Sequence, residues 1–318
     1  MVDVLIVLDG ASEPLGAGPT SLERARTPVL DRLVCEGTLT RRRTVARGLP
    51  PGSETAIPAL LGWIPPAPVD RAALEAAARG VAIAPGERAW RIDVLDAGRR
   101  AGEQATSAAA TALATAAPRH AVHRLAGHRL LLVGPPALPT AARCPGLRVW
   151  PEGAIPPRVL GPETVVVAAL GAAAGAARLL GATVVVPAGA TGRPDTDLQA
   201  KAAAAVAAID RDTPHVVVHV GGADEAAHER DPAGKVAAIE RADHELLAPI
   251  AAAVRRAGGS LTVCPDHGCD PATGEHDAAP VPSVTWPGRG AAAPLRLTER
   301  QVASLPVAEL CVPHREAA

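Results

Sequence analysis

Residues 264–282 read CPDHGCDPATGEHDAAPVP: two histidines, two cysteines and several carboxylates in a stretch with neither helical nor strand periodicity. Metal ligation is the chemistry such a mixture suits. A zinc knuckle on Cys264 and Cys269 is one reading, but no second cysteine pair follows to complete it, and Cys264 is better placed as the last residue of a strand. The same donor types recur elsewhere in a pattern. Asp9 follows the apolar run VLIVL, Asp224 and His228 follow HVVVHV, and Asp266 and His267 follow SLTVC. Asp224 and His228 are four apart, so a helical turn there puts both on one face, able to grip one ion. His276 comes nine residues after His267, near enough to fold back. Taken singly, an Asp after a strand also serves as a turn or helix cap. His215 and His219 read as core or interface histidines. Ser53, in RGLPPGSETAIPALLGW (47–63), stands where a short helix begins. Its hydroxyl is either a helix cap or a nucleophile at a helix N-terminus, where backbone N–H groups favour an incoming anion. The serine-hydrolase elbow G-x-S-x-G does not fit, since residue 51 is Pro and residue 55 is Thr.

The elements that must position these residues are short, continuous apolar runs: 4–8, 130–133, 165–170, 183–187, 215–220 and 260–264. Continuous runs suit strands buried on both faces, as in a parallel sheet covered by helices. Helix formers lie between several of them, at 171–181, 195–209 and 231–259, the last ending on Arg-Arg-Ala-Gly-Gly, a C-terminal stop. This alternation predicts an α/β fold with a doubly wound, mostly parallel sheet. In such sheets ligands bind at the carboxyl ends of the strands, where the donors emerge. Proline-rich stretches at 65–68 and 135–157 bracket a segment with its own pattern, a helix over 106–117 and two strands about Gly127. The expected organisation is a core of residues 1–64 and 162–318, with 65–161 as a smaller inserted α+β cap.

Composition narrows the partners. A net charge of −1 and a pI near 6.8 invite neither nucleic acid nor an anionic membrane. Four Trp are the only aromatics, which leaves few stacking platforms for bases. The N-terminal MVDVLIVLDG lacks a basic region and meets Asp9 after five apolar residues, unlike a signal peptide or membrane span. Five scattered cysteines (35, 144, 264, 269, 311) suit reduced thiols. The expected setting is cytoplasmic; nothing in the sequence fixes an oligomeric state.

Five segments in order carry a resemblance. VLDGASEPLG with TSLERARTPVLDRLVCEG, then PPGSETAIPALLGW, PAGATGRPDTDLQAKAAAAV, HVGGADEAAHERDPAGKVAAIERAD and CPDHGCDPATGEHDAAPVPSV resemble the cofactor-independent phosphoglycerate mutases. The likeness is to their archaeal-type branch, within the alkaline phosphatase superfamily. ALEAAARGVAIAPGERAWRIDV also resembles the entry to that family's inserted domain. The resemblance implies an alkaline-phosphatase-like core and two divalent metal ions, Mn²⁺ or Zn²⁺. It implies Asp224, His228 and His276 as ligands of one ion, and Asp9, Asp266, His267 and Ser53 of the other. Ser53 is then also the nucleophile, through a phosphoserine, and the cysteines are bystanders. The chain is short for the family, and the acidic segment and Arg-rich stretch with which that branch holds its substrate are not evident. Arg99 and Arg100, in LDAGRRAG, are candidate clamps for a phosphate or carboxylate. Arg71, His128, Asp195, Asp197 and Lys201 complete the candidate substrate contacts. The implied activity is phosphoryl transfer on a small phosphorylated carboxylate, 3-phosphoglycerate by default. A phosphatase or phosphonate-directed relative is the alternative, and a catalytically silent binding protein the alternative of another class.

Overall fold

The run VLIVL is continuous because both faces of its strand are covered. In β1 (Asp3–Leu8), Val4, Ile6 and Leu8 enter one apolar cluster while Leu5 and Val7 enter another on the opposite face. HVVVHV divides the same way, Val216, Val218 and Val220 to the first cluster and Val217 to the second. Successive strand side chains point to opposite faces, so a strand sandwiched by helices must be apolar throughout. Each such Val or Leu contributes about 1.5–3 kcal/mol relative to exposure.

The structure, a computed structural model, describes residues 1–288 and 295–310. After β1 come α1 (Ser21–Arg24), α2 (Pro28–Glu36), β2 (Thr38–Arg42) and α3 (Ser53–Leu60). α4 (Arg71–Arg79) precedes a separate sheet of β3 (Arg88–Asp96), β4 (Arg99–Arg100), β5 (Ala121–Arg124), β6 (Arg129–Gly134) and β7 (Leu147–Val149). α5 (Glu103–Ala116) packs on that sheet. The chain returns through β8 (Thr164–Val167), α6 (Ala172–Leu180), β9 (Thr183–Val185), α7 (Leu198–Ile209) and β10 (His215–Val220). Then follow α8 (Gly222–His228), α9 (Pro232–Arg241), α10 (Ala248–Ala257) and β11 (Ser260–Cys264). A short ribbon of β12 (Gly268–Cys269) and β13 (His276–Asp277) leads to β14 (Val281–Trp286), α11 (Glu299–Val302) and β15 (Val307–Ala308).

The large sheet has the order β15-β2-β14-β11-β1-β10-β8-β9, and β14 alone runs against the rest. The fold is α/β with a mostly parallel sheet, β1 at its centre. One face carries α2, α7 and α10 through Leu33, Ala205 and Val254; the other carries α3, α4 and α6 through Ile57, Leu74 and Leu180. The helix read over 231–259 is α9 and α10 joined by a π-helical turn, Ala242–Leu247. Asp231 caps its start by accepting from the Gly234 amide, and Gly258, left-handed at φ 62°, ends it.

The run LLLV belongs to the smaller sheet, which is antiparallel, rather than to the parallel one. It is continuous for the same physical reason. Leu130 and Leu132 face the cluster under α5, whereas Leu131 and Val133 face one completed by Ala72 and Ala76 of α4. α4 therefore has two apolar faces, Leu74 and Ala78 against the large sheet's helices and Ala72 and Ala76 against the small sheet. The polypeptide leaves for the small sheet and returns at one place, where Ala154 and Pro68 are bonded main chain to main chain at 2.8 Å.

Candidate active site

β11, β1 and β10 lie side by side in register, Val7 opposite Cys264 and Leu8 opposite Val220. The segments that follow them must therefore emerge together. Asp9 prolongs β1; Asp224 and His228 stand one turn apart on α8; Asp266 and His267 follow β11; His276 comes back on β13. Asp224 approaches His228 Nε2 at 3.2 Å and His276 Nε2 at 3.3 Å. Asp9 lies 3.3 Å from His267 Nε2 and accepts from Ser53 Oγ at 3.1 Å, with Ser53 at the first turn of α3. Asp266 Oδ1 takes the amides of Gly10 and His267, both at 3.0 Å, which leaves Oδ2 toward the site.

The imidazoles are held in one orientation from behind. His228 Nδ1 meets the carbonyl of Gly274 at 2.9 Å, His267 Nδ1 that of Gly268 at 3.0 Å, and His276 Nδ1 that of Pro51 at 3.1 Å. A carbonyl only accepts, so each Nδ1 carries a hydrogen and each ring turns its Nε2 inward. The Nε2 atoms of His228 and His276 are 2.9 Å apart, a distance that calls for a proton or a metal cation between them. Asp224 Oδ1, Asp266 Oδ2, His219 Nε2 and His267 Nε2 are buried without hydrogen-bond partners. Orphaned donor atoms of this kind are what a cation pair satisfies. The candidate donor sets are Asp224, His228, Cys269 and His276; Asp9, Asp224 and His267; and Asp9, His219 and Asp266, each within 4.8 Å.

Electrostatics of the protein groups agree. Burial opposes charge on Asp9, yet the adjacent imidazoles of His219 and His267 hold its carboxyl well below the usual range. Burial likewise opposes charge on Asp224, and His228 and His276 overcome it. Asp266 is pushed up to about 6 by burial and then by the charge of Asp9. His267, despite burial, is raised well above its ordinary value by Asp266 and Asp9. A cation entering such a site displaces protons from imidazole and carboxyl.

Beyond the donors the site opens into a cleft of about 600 Å³ between the two sheets. Trp150 forms its far wall, with the guanidiniums of Arg148, Arg71 and Arg91 at 4.6, 5.0 and 5.6 Å from its ring. Such stacking orients a guanidinium while leaving its edge free to donate. Most cleft cations are already paired: Arg71 with Glu54, Arg91 with Glu75 and Asp93, Arg129 and Arg100 with Glu225. Burial, then the charge of Arg71, brings Arg91 down to about 10. Arg148 is exposed and has no carboxylate partner among the described residues. A larger cavity of 1060 Å³ lies at the opposite end of the strands, beside Asp3, His215 and Ser260, and touches none of the donors.

A family model described as the metalloenzyme superfamily matches residues 1–305. The chain belongs to that superfamily. The 2,3-bisphosphoglycerate-independent phosphoglycerate mutase of Methanopyrus kandleri is 29% identical, over 89% of this chain and 87% of the mutase. One of Archaeoglobus fulgidus is also 29% identical, over 88% of each. Among solved structures, a protein of Pyrococcus horikoshii superposes with a TM-score of 0.77 at 23% identity, covering 95% of this chain and 91% of that one. The cofactor-independent phosphoglycerate mutase of Thermoplasma acidophilum superposes at 0.57 with 20% identity, covering 96% of each. These likenesses support the mutase-type core that the sequence motifs resemble.

All of Asp9, Ser53, Asp224, His228, Asp266, His267 and His276 are brought to one end of the large sheet. Arg71, Arg100 and His128 line the cleft. The other expected contacts do not. Arg99 alternates with Arg100 on β4 and is not on the cleft wall. Asp197 caps α7 by accepting from the Ala200 amide, and Asp195 accepts from Thr191 Oγ1 in the preceding turn. Lys201 lies beneath the floor, wholly buried, its Nζ on the carbonyl of His219 at 2.9 Å. Burial lowers its pKa to about 8, with Asp9 resisting. His219 was read as a core histidine, but its Nε2 faces Asp9 Oδ2 at 3.2 Å. Only the register of β10 beside β1 reveals that. Cys269 Sγ falls within the first candidate donor set. Cys35, Cys144, Cys264 and Cys269 are unbridged, and Cys311 lies outside the described residues.

Proposed function

We propose that this chain is a two-metal, serine-nucleophile phosphoryl-transfer enzyme of mutase type, acting on a small phosphorylated carboxylate with 3-phosphoglycerate as the default substrate. The observation that carries the reading is the set of inward-facing Nε2 and carboxylate atoms lacking partners, with Ser53 Oγ 3.1 Å from Asp9. Asp224, His228 and His276 would hold one divalent ion, and Asp9, Asp266, His267 and Ser53 the other. When bound, such ions lower the pKa of a coordinated hydroxyl and neutralise phosphoryl oxygens; Mn²⁺ and Zn²⁺ both suit the mixed carboxylate and imidazole donors.

Ser53 Oγ attacks phosphorus, the bond to the substrate oxygen breaks, and phosphoserine remains. The other hydroxyl of the retained substrate then gives up its proton and attacks the phosphorus, the phosphorus–Oγ bond breaks, and Ser53 Oγ takes up a proton. Retention requires a clamp on the carboxylate, and Arg148, stacked on Trp150 and unpaired, is the side chain available for it. Reorientation without release also requires the small sheet to shield the cleft from water.

One observation favours a second outcome. Arg71, Arg91, Arg100 and Arg129 are already neutralised by Glu54, Glu75, Asp93 and Glu225, so the cleft grips an anion less than its arginine content suggests. A loosely held alcohol would leave, and water would take the phosphate. Phosphorus NMR of metal-loaded enzyme with 3-phosphoglycerate separates the cases. Formation of 2-phosphoglycerate without free phosphate supports the mutase, and free phosphate as main product supports a phosphatase. Absence of turnover together with absence of bound metal would make the chain a silent binding protein.

A further inference from the structure

We infer that Cys269 is a fourth protein donor to the ion held by Asp224, His228 and His276, and that its sulfur biases that site toward zinc-like over manganese-like ions. The inference rests on the two-metal reading above and adds a ligand that the sequence motifs do not supply.

Three independent features converge on the sulfur. Cys269 and His276 are direct partners across the antiparallel ribbon of β12 and β13. Cross-strand partners project from the same face, so the element that aims His276 at the ion aims Cys269 at it too. The sulfur and the donor atoms of Asp224, His228 and His276 all lie within 4.8 Å of one another, close enough for small side-chain movements to gather them round one ion. Asp224 Oδ1, buried and lacking a hydrogen-bond partner, faces the same space.

The backbone beneath Cys269 is also pinned. Its amide donates to the Ser12 carbonyl at 2.8 Å, and its carbonyl accepts from Lys235 Nζ at 2.5 Å. Lys235 is wholly buried and reaches the Ser12 carbonyl and Glu13 Oε2 as well, both at 3.0 Å. A buried lysine spent on holding two carbonyls of a short ribbon is costly unless the position of that ribbon matters. The thiol itself is wholly buried, which removes it from solution redox and alkylation chemistry. As the sulfur–metal bond forms, the thiol proton passes to solvent and nothing is oxidised. Thiolate is a soft donor, and soft donors favour Zn²⁺ over Mn²⁺.

The test uses the full chain, stripped with chelator and reloaded with Co²⁺ alone, with metal content and absorption spectrum measured on the same sample. The expected result is a near-ultraviolet sulfur-to-cobalt charge-transfer band, present in wild type and in Cys264→Ala, absent from Cys269→Ser and Cys269→Ala. Competition between Zn²⁺ and Mn²⁺ should show the zinc preference falling about tenfold or more in Cys269→Ser, since losing even an outer partner costs that much affinity. Two cobalt ions bound with no charge-transfer band would overturn the inference and leave the two-metal reading standing. One cobalt bound with the band present would do the reverse, and no bound cobalt would end both. Circular dichroism checks that the variants fold; should they fail, the wild-type band decides alone.

Discussion

Replacing Gly10 by Ala should empty the first metal site without touching a ligand. Gly10 follows Asp9 with φ at 60°, a left-handed conformation that costs an L-residue about 1–2 kcal/mol. The added Cβ would lie 2.5 Å from Asp224 Oδ1, 2.7 Å from its Cβ and 2.9 Å from its Cα, against 3.4 Å or more in ordinary contact. Because the Cα belongs to the backbone of α8, no rotamer of Asp224 relieves the clash. β1 and α8 must separate by roughly 1 Å, far beyond the ~0.2 Å tolerance of metal–ligand distances. Misplacement of that size costs about a hundredfold in rate, and strain plus overpacking should remove roughly 2–4 kcal/mol of stability. Gly80, at φ 66° with nothing within 4 Å of its would-be Cβ, supplies the control. Gly80→Ala carries the strain alone and should keep its metal. Metal content after dialysis and urea unfolding of both variants make the measurement. Gly10→Ala with full metal and activity, unfolding like Gly80→Ala, would refute the reasoning.

Ser53→Ala should abolish phosphoryl transfer while staying folded and metal-loaded, since Asp9, Asp266 and His267 remain; full activity would exclude Ser53 as nucleophile. Asp224→Ala or His276→Ala should each lose one ion per chain by elemental analysis, and chelation of wild type should inactivate it reversibly, with Mn²⁺, Zn²⁺ or Co²⁺ restoring turnover. Arg148→Ala should raise KM, and more free phosphate than in wild type should appear in the phosphorus spectrum if this side chain retains the substrate. Lys201→Met in metal-stripped protein tests the buried lysine. The folded pKa of about 8 lies below the ordinary 10.5, so between those values the unfolded chain binds the extra proton and wild-type stability rises with pH. The cost of the buried charge is fully present below pH 8, and the advantage of the Met variant there should shrink by about 3 kcal/mol on approaching pH 10.5 in urea titrations. An advantage flat with pH would mean that the lysine is not perturbed.

Asp9, Asp224 and Asp266 were legible in the sequence because each follows an apolar run that can only be a doubly covered strand. His219 was not, because a histidine inside such a run looks like filler until the neighbouring strand supplies Asp9 opposite it. The pairing of Cys269 with His276 was not legible for a related reason: it is made by an antiparallel ribbon of two residues per strand, too short to show alternation. β2 was missed because TLTRR is half exposed and polar, closer to an edge than to a core strand. The cleft wall was illegible in another way. Arg148 and Trp150 reach the site only when the smaller sheet folds over the larger one, and no local pattern encodes that approach. Asp195 and Asp197 show the opposite error, since Asp before a helix is as well explained by capping, which is what both the Ala200 amide and the turn at Thr191 record.

The carbonyl of Pro51 that orients His276 lies two residues before Ser53, so one loop carries both that hydroxyl and the rein on His276. Position is thereby coupled through the main chain: any shift of the 51–53 segment would tilt the ring of His276 with it. The two halves of the site are mechanically one part, so a displacement at Ser53 is carried to His276. In nitrogen NMR of protein labelled at histidine, phosphorylation at Ser53 should move the His276 Nδ1 resonance more than that of His228, whose anchor at Gly274 belongs to a different loop.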